Sequence, residues 1–341
     1  MRVARYYNNR DVRLEEMPVP AIGPGELLVR VVASGICGSD VMEWYRIKKA
    51  PLVLGHEITG EIVETGEGAH GFRKGDRVFV SHHVPCNTCR YCLAGDSTVC
   101  DTLRTTNFDP GGFSEYLRVP RINVDRGVFV LPNEIDFLDG TFIEPLACAL
   151  RGQRVAGIQP GNSVLVLGSG ISGLLHLALA RALGAGRILA TDVHPYRIAA
   201  ALSHGADRAF DARDDVPSRV REANEGRGAD LVIVCTGAPK AFEQAMNSVD
   251  RGGAVLYFAP GRPGETVPLD AYSLWANGIT LATSYGAAPK DIACAMDLIR
   301  FKRVEVSSMI THRLPLKDAG LGFALVAEAG ESIKVIVEPQ I

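Results

Sequence analysis

Ser163-Val164-Leu165-Val166-Leu167-Gly168-Ser169-Gly170-Ile171-Ser172-Gly173-Leu174-Leu175-His176-Leu177-Ala178-Leu179-Ala180 is the stretch that decides the fold. An apolar strand runs into a G-x-G-x-x-G turn, and an apolar helix follows. In that setting each glycine has a task. Gly168 permits the tight turn, Gly170 lets backbone approach a pyrophosphate, and Gly173 lets the helix pack close to the strand. The helix opens with Ile171, Ser172 and Gly173, and its N-terminus attracts phosphates. The next apolar strand, from Arg187, ends at Asp192, nineteen residues after Gly173. A carboxylate there accepts hydrogen bonds from ribose hydroxyls and repels a 2′-phosphate, so NAD is expected over NADP. Arg197 either packs on the adenine face or is a solvated helix arginine, and His194 is equally open.

Strands and helices keep alternating downstream. Helical segments are expected near 198–204, 216–224 and 240–248, with strands near 208–210, 230–234, 254–258 and 279–283. That pattern indicates an α/β, doubly wound parallel sheet. The residues before it differ in kind. Short alternating strands and turns such as Gly23-Pro24-Gly25 and Lys74-Gly75-Asp76 suggest a β-rich first domain over 1–150. The dinucleotide domain is expected over 151–288. Residues 289–341, with a helix near 291–301 and a strand near 334–338, are expected to return to the first domain.

A chain of 341 residues suggests about two domains of ~100–200 residues each. Hydrophobic residues at 47% and charged residues at 22% are those of an ordinary globular protein. The net charge is −3 and no block of Lys or Arg appears, which argues against a nucleic-acid or anionic-membrane partner. The start lacks an apolar signal core, and the most apolar stretch, 163–185, is interrupted by glycines, His176 and Arg181. A cytoplasmic protein is expected.

Four of the eight cysteines fall within fifteen residues, as Cys86-x2-Cys89-x2-Cys92-x7-Cys100. No secretory context supports disulfides. Four converging thiolates make a closed tetrahedral shell, the pattern of structural zinc, and the spacing differs from common iron–sulfur ones. A lobe over about 85–101 is therefore expected to be held by metal. Cys148, Cys235 and Cys294 lie among apolar neighbours and read as small buried hydrophobes. Cys37 stands apart, between Gly35 and Gly38 after an alternating strand. His56 and Glu57 follow nineteen residues on, and Glu144 is a lone carboxylate in Phe142-Ile143-Glu144-Pro145. Cys37, His56 and one carboxylate would make a mixed site with an open position, as in catalytic zinc. Asp40 suits a carboxylate that accepts the imidazole's second N–H.

Several motifs occur in order: Gly35-Ile36-Cys37-Gly38-Ser39-Asp40, Gly55-His56-Glu57, Gly75-Asp76-Arg77-Val78, the four cysteines, Gly112-Phe113-Ser114-Glu115-Tyr116, Glu144-Pro145-Leu146-Ala147, and the glycine turn with Asp192. Together they resemble the zinc-dependent medium-chain dehydrogenases, on the sorbitol (polyol) and L-threonine dehydrogenase branch. The resemblance covers essentially the whole chain. It implies a GroES-like catalytic domain plus a Rossmann domain, with the active site in the cleft between them. Cys37 and His56 then correspond to catalytic zinc ligands, with Glu57 or Glu144 completing the shell. Ser39 corresponds to the hydroxyl that passes on the alcohol proton. Family members often carry a histidine five residues after the zinc cysteine, at the end of that relay, and this chain has Met42. His83 resembles a histidine near substrate in threonine dehydrogenases, or is a loop histidine.

The resemblance implies reversible oxidation of a secondary alcohol to a ketone with hydride transfer to NAD, by one catalytic and one structural zinc per chain. A polyol or sugar-derived alcohol is the leading substrate class. An L-threonine-like amino-alcohol and a simple secondary alcohol or diol are the alternatives. Trp44, Tyr45, Phe108 and Tyr285 are candidates for the pocket wall. A non-catalytic NAD- and zinc-binding protein is the reading from another class. A homodimer or homotetramer is usual for the family.

Overall fold

Ser163–Leu167 is buried along its whole length, as an apolar run between two neighbouring strands must be. The computed structural model, which describes residues Met1–Ile341, places it inside a six-stranded sheet. The order is Arg208–Asp211, Arg187–Asp192, Ser163–Leu167, Ala229–Val234, Val249–Tyr257 and Thr280–Thr283. Every pairing is parallel, and the order reverses direction at Ser163–Leu167. Helices Ile171–Ala182, Pro195–Ser203, Val216–Ala223 and Pro239–Ser248 make the crossovers. Leu165, Leu167, Val232, Val234 and Val255 pack against Val216, Val220, Ala241 and Ala245 to form this unit's core.

The chain divides into two compact units, Met1–Ala147 with Ala287–Ile341, and Cys148–Gly286. Both borders fall a few residues before the expected ones. The first lies inside one helix, Ile143–Val155, so local pattern could not mark it.

The discontinuous unit is built on a mixed sheet ordered Ile310–Pro315, Lys334–Glu338, Leu27–Gly35, Glu57–Thr65, Arg77–Val80 and Val128–Val130, with Tyr116–Val119 also paired to Leu27–Gly35. Arg2–Asn8, Asp11–Glu16 and Leu52–Val53 form a small second sheet. Leu27, Val29, Val31, Ile58, Ile62, Val78 and Leu117 fill one core. Tyr6, Phe113, Phe323 and Val337 anchor another. The first 150 residues are not wholly β: short helices occur at Glu43–Arg46, Arg90–Leu93, Asp101–Thr105 and Arg121–Gly127. No helix is long and apolar enough to cross a membrane.

Candidate metal centre and dinucleotide turn

Strand register assembles the first group. Gly35 pairs with Glu57 across one ladder and with Ile336 across the other. Cys37 therefore leaves its strand beside Glu57, while His56 enters the neighbouring strand. Gly55 has a φ of +95°, and a Cβ there would meet Phe113 N at 2.8 Å, so the turn delivering His56 requires glycine. One donor atom each from Cys37, His56 and Glu57 lies within 4.8 Å of the others.

Asp40 supports this group. It is fully buried, accepts from the Cys37 N–H at 3.1 Å, and stands 3.5 Å from His56 Nδ1. Burial works to raise its carboxyl, yet His56, Arg46 and the Cys37 N–H together hold it below the usual carboxylate range. Burial also works to lower the His56 imidazolium, but Asp40 and Cys37 outweigh it and raise His56 well above its ordinary value. A partly buried thiol and imidazole beside buried carboxylates, arranged so that positive charge is favoured among them, suit a divalent cation. The donor set fits zinc, with an imidazole whose other nitrogen faces a carboxylate.

Ser39 sits on the short turn after Cys37, and its N–H points to the Cys37 sulfur at 3.4 Å. Its hydroxyl accepts from Arg46 Nη2 at 3.0 Å, and its carbonyl accepts from Arg46 Nε at 3.0 Å. Arg46 thus clamps the residue expected to pass the proton, on the side where Met42 replaces histidine. Glu144 does not join the Cys37–His56–Glu57 donors. It occupies the first turn of Ile143–Val155, buried, two residues beyond Phe142.

Sequence reasoning missed two partners. Lys334 Nζ donates to Glu57 Oε2, and both side chains are out of reach of water. The Nζ also stands 5.4 Å from the centre of the Phe142 ring. A side chain at Gly35 would collide with both members of the pair. Arg46 is the second. The chain had shown a lysine opening a strand and an arginine in a polar run, neither a signal of metal chemistry.

His82 and His83 lie against each other with tilted rings, centres 3.8 Å apart, and the His82 ring centre is 4.8 Å from that of His56. Burial, then the neighbouring positive charges of His56, Arg46 and Lys49, hold His83 down to about 4. Burial, with His83 and His56 beside it, also holds His82 well below its ordinary value, and its Nδ1 has no partner. Of the expected wall residues, Phe108 is instead a core residue packed with Val29 and Leu117, while Tyr45 and Tyr285 are exposed.

The four cysteines come together as expected from their spacing. Their sulfurs lie within 4.8 Å of one another, with Cys89–Cys92 at 3.6 Å and Cys86–Cys92 at 3.9 Å. Thiolates about 2.3 Å from a tetrahedral zinc would lie about 3.8 Å apart, so the quartet fits that ion. None of the eight cysteines forms a disulfide. Cys294 corrects an expectation: it is exposed on the helix Pro289–Arg300, because its apolar neighbours turn to the other face.

In the other unit, Gly168 has a φ of +94°, and a Cβ on Gly173 would overlap the Gly168 carbonyl oxygen. Gly170 caps the helix without a side-chain hydrogen bond, leaving the first N–H groups of Ile171–Ala182 free of a capping side chain. Arg197 reaches this turn, with Nη1 3.7 Å from where a Gly170 Cβ would stand. Asp192, at the strand end, accepts from Ser169 N at 2.8 Å and from His194 N at 2.9 Å. It therefore ties the glycine turn to its own turn, and each oxygen keeps a lone pair for a further donor. The turn's shape, open helix end and carboxylate fit a dinucleotide.

Residues 23–127 match the family model "Alcohol dehydrogenase GroES-like domain", and residues 172–300 match "Zinc-binding dehydrogenase". The chain is 30% identical to a sorbitol dehydrogenase of Bacillus subtilis (strain 168), over 99% of this chain and 97% of that one. It is 32% identical to an L-threonine 3-dehydrogenase of Caldanaerobacter subterraneus subsp. tengcongensis, over 99% and 98%. Among solved structures, a zinc-binding dehydrogenase of Sinorhizobium meliloti 1021 bound to NADP superimposes with a TM-score of 0.88. Its identity is 30%, and 99% of each chain is covered.

Proposed function

Since the chain belongs to the zinc-binding, GroES-like alcohol dehydrogenase family, we propose that it oxidises a polyol or sugar-derived secondary alcohol to a ketone, reversibly, with hydride transfer to NAD. The observation that carries this reading is the convergence of Cys37, His56 and Glu57 donors, with the Ser39 N–H on the Cys37 sulfur. Cys37 and His56 hold the catalytic zinc, with Glu57 as the third donor and Glu144 as its alternative. Cys86, Cys89, Cys92 and Cys100 hold the structural one. When bound, the catalytic ion supplies Lewis acidity toward the alcohol oxygen.

Ser39 relays the alcohol proton, passing its own hydroxyl proton on to water as it takes the substrate's. Arg46 holds Ser39 in place by two hydrogen bonds, so the acceptor does not wander. Asp40 fixes the His56 ring and balances its charge. Gly168, Gly170 and Gly173, with the N–H groups of Ile171 and Ser172, cradle the pyrophosphate. Asp192 receives the ribose hydroxyls, which favours NAD over NADP, and Arg197 lies along the same turn. The protein acts in the cytoplasm as a homodimer or homotetramer.

The test is initial rates of NAD and NADP reduction on protein of measured zinc content. The panel contains sorbitol, xylitol, L-threonine, 2,3-butanediol and simple secondary alcohols. A polyol with NAD should give the fastest rate. Cys37→Ser should abolish turnover and leave NADH binding intact. Normal turnover in that variant would overturn the zinc assignment. NADH and zinc binding with no turnover of any alcohol would favour a non-catalytic protein.

A further inference from the structure

We propose that the alcohol taken by this site carries an anionic group, a phosphate ester or a carboxylate, recognised by Arg46 and Lys49. This rests on the dehydrogenase reading and narrows its substrate class.

Arg46 has more donors than the fold uses. Nε binds the Ser39 carbonyl, and Nη2 binds the Ser39 hydroxyl and lies 3.4 Å from Asp40 Oδ1. Nη1 makes no hydrogen bond. The guanidinium lies 4.8 Å from the Tyr45 ring centre, and Lys49 Nζ lies 5.8 Å from the same centre. Tyr45 therefore carries two cations at its face, and no carboxylate pairs with Lys48 or Lys49. Arg46, Lys48 and Lys49 thus form a small basic group in a chain of net charge −3.

Nearby acids do not cancel it. Asp40 is buried and already shared among His56, Arg46 and the Cys37 N–H. Glu43 is turned to the Asn9 N–H at 3.2 Å. Next to His56 stand His82, with ring centres 4.8 Å apart, and then His83, 3.8 Å from His82, and no carboxylate pairs with His82. A neutral polyol gains nothing from the Lys49 charge or from the edge of Arg46 that Ser39 and Asp40 leave unused. A phosphate or carboxylate a few bonds from the reacting carbon meets the free edge of Arg46, whose planar fork suits both groups.

The test compares sorbitol, sorbitol 6-phosphate and gluconate on the zinc-loaded full chain. Affinity is measured by calorimetry with NADH present, where no turnover occurs, and kcat/KM is measured separately with NAD. One or both anions should bind roughly tenfold or more tighter than sorbitol, and the margin should shrink with added salt. Arg46→Met and Lys49→Met should each narrow that ratio, and Arg46→Lys should restore part of it. Lys49→Met carries the test if Arg46→Met does not fold. Equal affinities in the wild type, or a margin that survives both substitutions, overturn the inference. So does a loss of NADH affinity in Arg46→Met without change in the ratio, which would assign the cations to the dinucleotide phosphates. Turnover of neutral polyols with no anion preference would leave the dehydrogenase reading standing and this inference fallen. Tight anion binding without any NADH formation from any alcohol would overturn both, leaving an anion site that serves no alcohol oxidation.

Discussion

Lys334 and Glu57 form an ion pair sealed within the sheet, 277 residues apart in the chain and joined by the strand Leu27–Gly35 between them. Glu57 stands beside Cys37 and His56, and Lys334 engages its Oε2 only. The lysine lets a carboxylate exist in a dry place next to the metal donors.

Removing one partner leaves the other charge uncompensated. Lys334→Met should lower stability by roughly 3–5 kcal/mol, because Glu57 is then buried without its counter-charge. Lys334→Met combined with Glu57→Leu should recover most of that loss, since no charge remains to be desolvated. Calorimetric unfolding of the two variants and the wild type checks this. A single variant that loses under about 1 kcal/mol would show that the pair is not held as buried ions.

On the proposed function, Asp192 is the residue that should discriminate between the two nicotinamide cofactors. Its carboxylate is fixed by the Ser169 and His194 N–H groups, so the charge has a defined place at the strand end. Asp192→Asn should weaken NADH binding about tenfold, the scale of one charge-assisted hydrogen bond. NADPH should lose far less, so the preference between the two should narrow. Fluorescence titration with both nucleotides gives the ratio directly, and an unchanged ratio would remove Asp192 from the discrimination.

What the chain disclosed follows from sequence distance. The strand, glycine turn and helix of 163–182 were readable because all their constraints are local. The cysteine quartet was readable because its spacing is itself the geometry. Cys37 and His56 could be paired only because each sits at a strand end beside glycine. Lys334 was hidden because its partner is set by the register of three strands, not by any local pattern. Arg46 was hidden because its role comes from the turn of a four-residue helix back onto Ser39. Phe108 and Cys294 misled for a related reason: composition says that a residue is apolar or has apolar neighbours, and only packing says which way it faces.

The cysteine quartet should behave as a structural clamp. Within segment 85–101 only Pro85, Thr98 and Cys100 are buried, and Tyr91, Leu93 and Val99 are exposed. Its order then depends on metal, whose binding energy is folding energy for such a lobe. Cys89→Ser should lose about one zinc per chain and expose this segment to limited proteolysis, with the Cys148–Gly286 unit still binding NADH. Metal analysis and mass mapping of the first cleavage site test it. Cleavage elsewhere first would mean that the lobe is held by something other than zinc.

Glu115 makes stability depend on acid. It accepts from the Arg2 backbone N–H and from Arg2 Nε, each at 2.7 Å, and so fastens the first strand to the segment leading into Tyr116–Val119. Burial works to raise its carboxyl, but the hydrogen bonds and charge of Arg2 prevail and hold it below its ordinary value. A depressed carboxyl stabilises the fold above its unfolded pKa of about 4.3, and that contribution is lost as pH falls through the folded value. Glu115→Gln should therefore cost roughly 1–2 kcal/mol at pH 7, the lower end being expected because Arg2 is partly exposed. The gap between variant and wild type should stay constant above about pH 5, narrow as pH falls below the unfolded value of about 4.3, and close only once pH has passed below the depressed folded value. Unfolding midpoints across that range decide it. A gap that does not close in acid would mean that Glu115 acts through packing rather than charge.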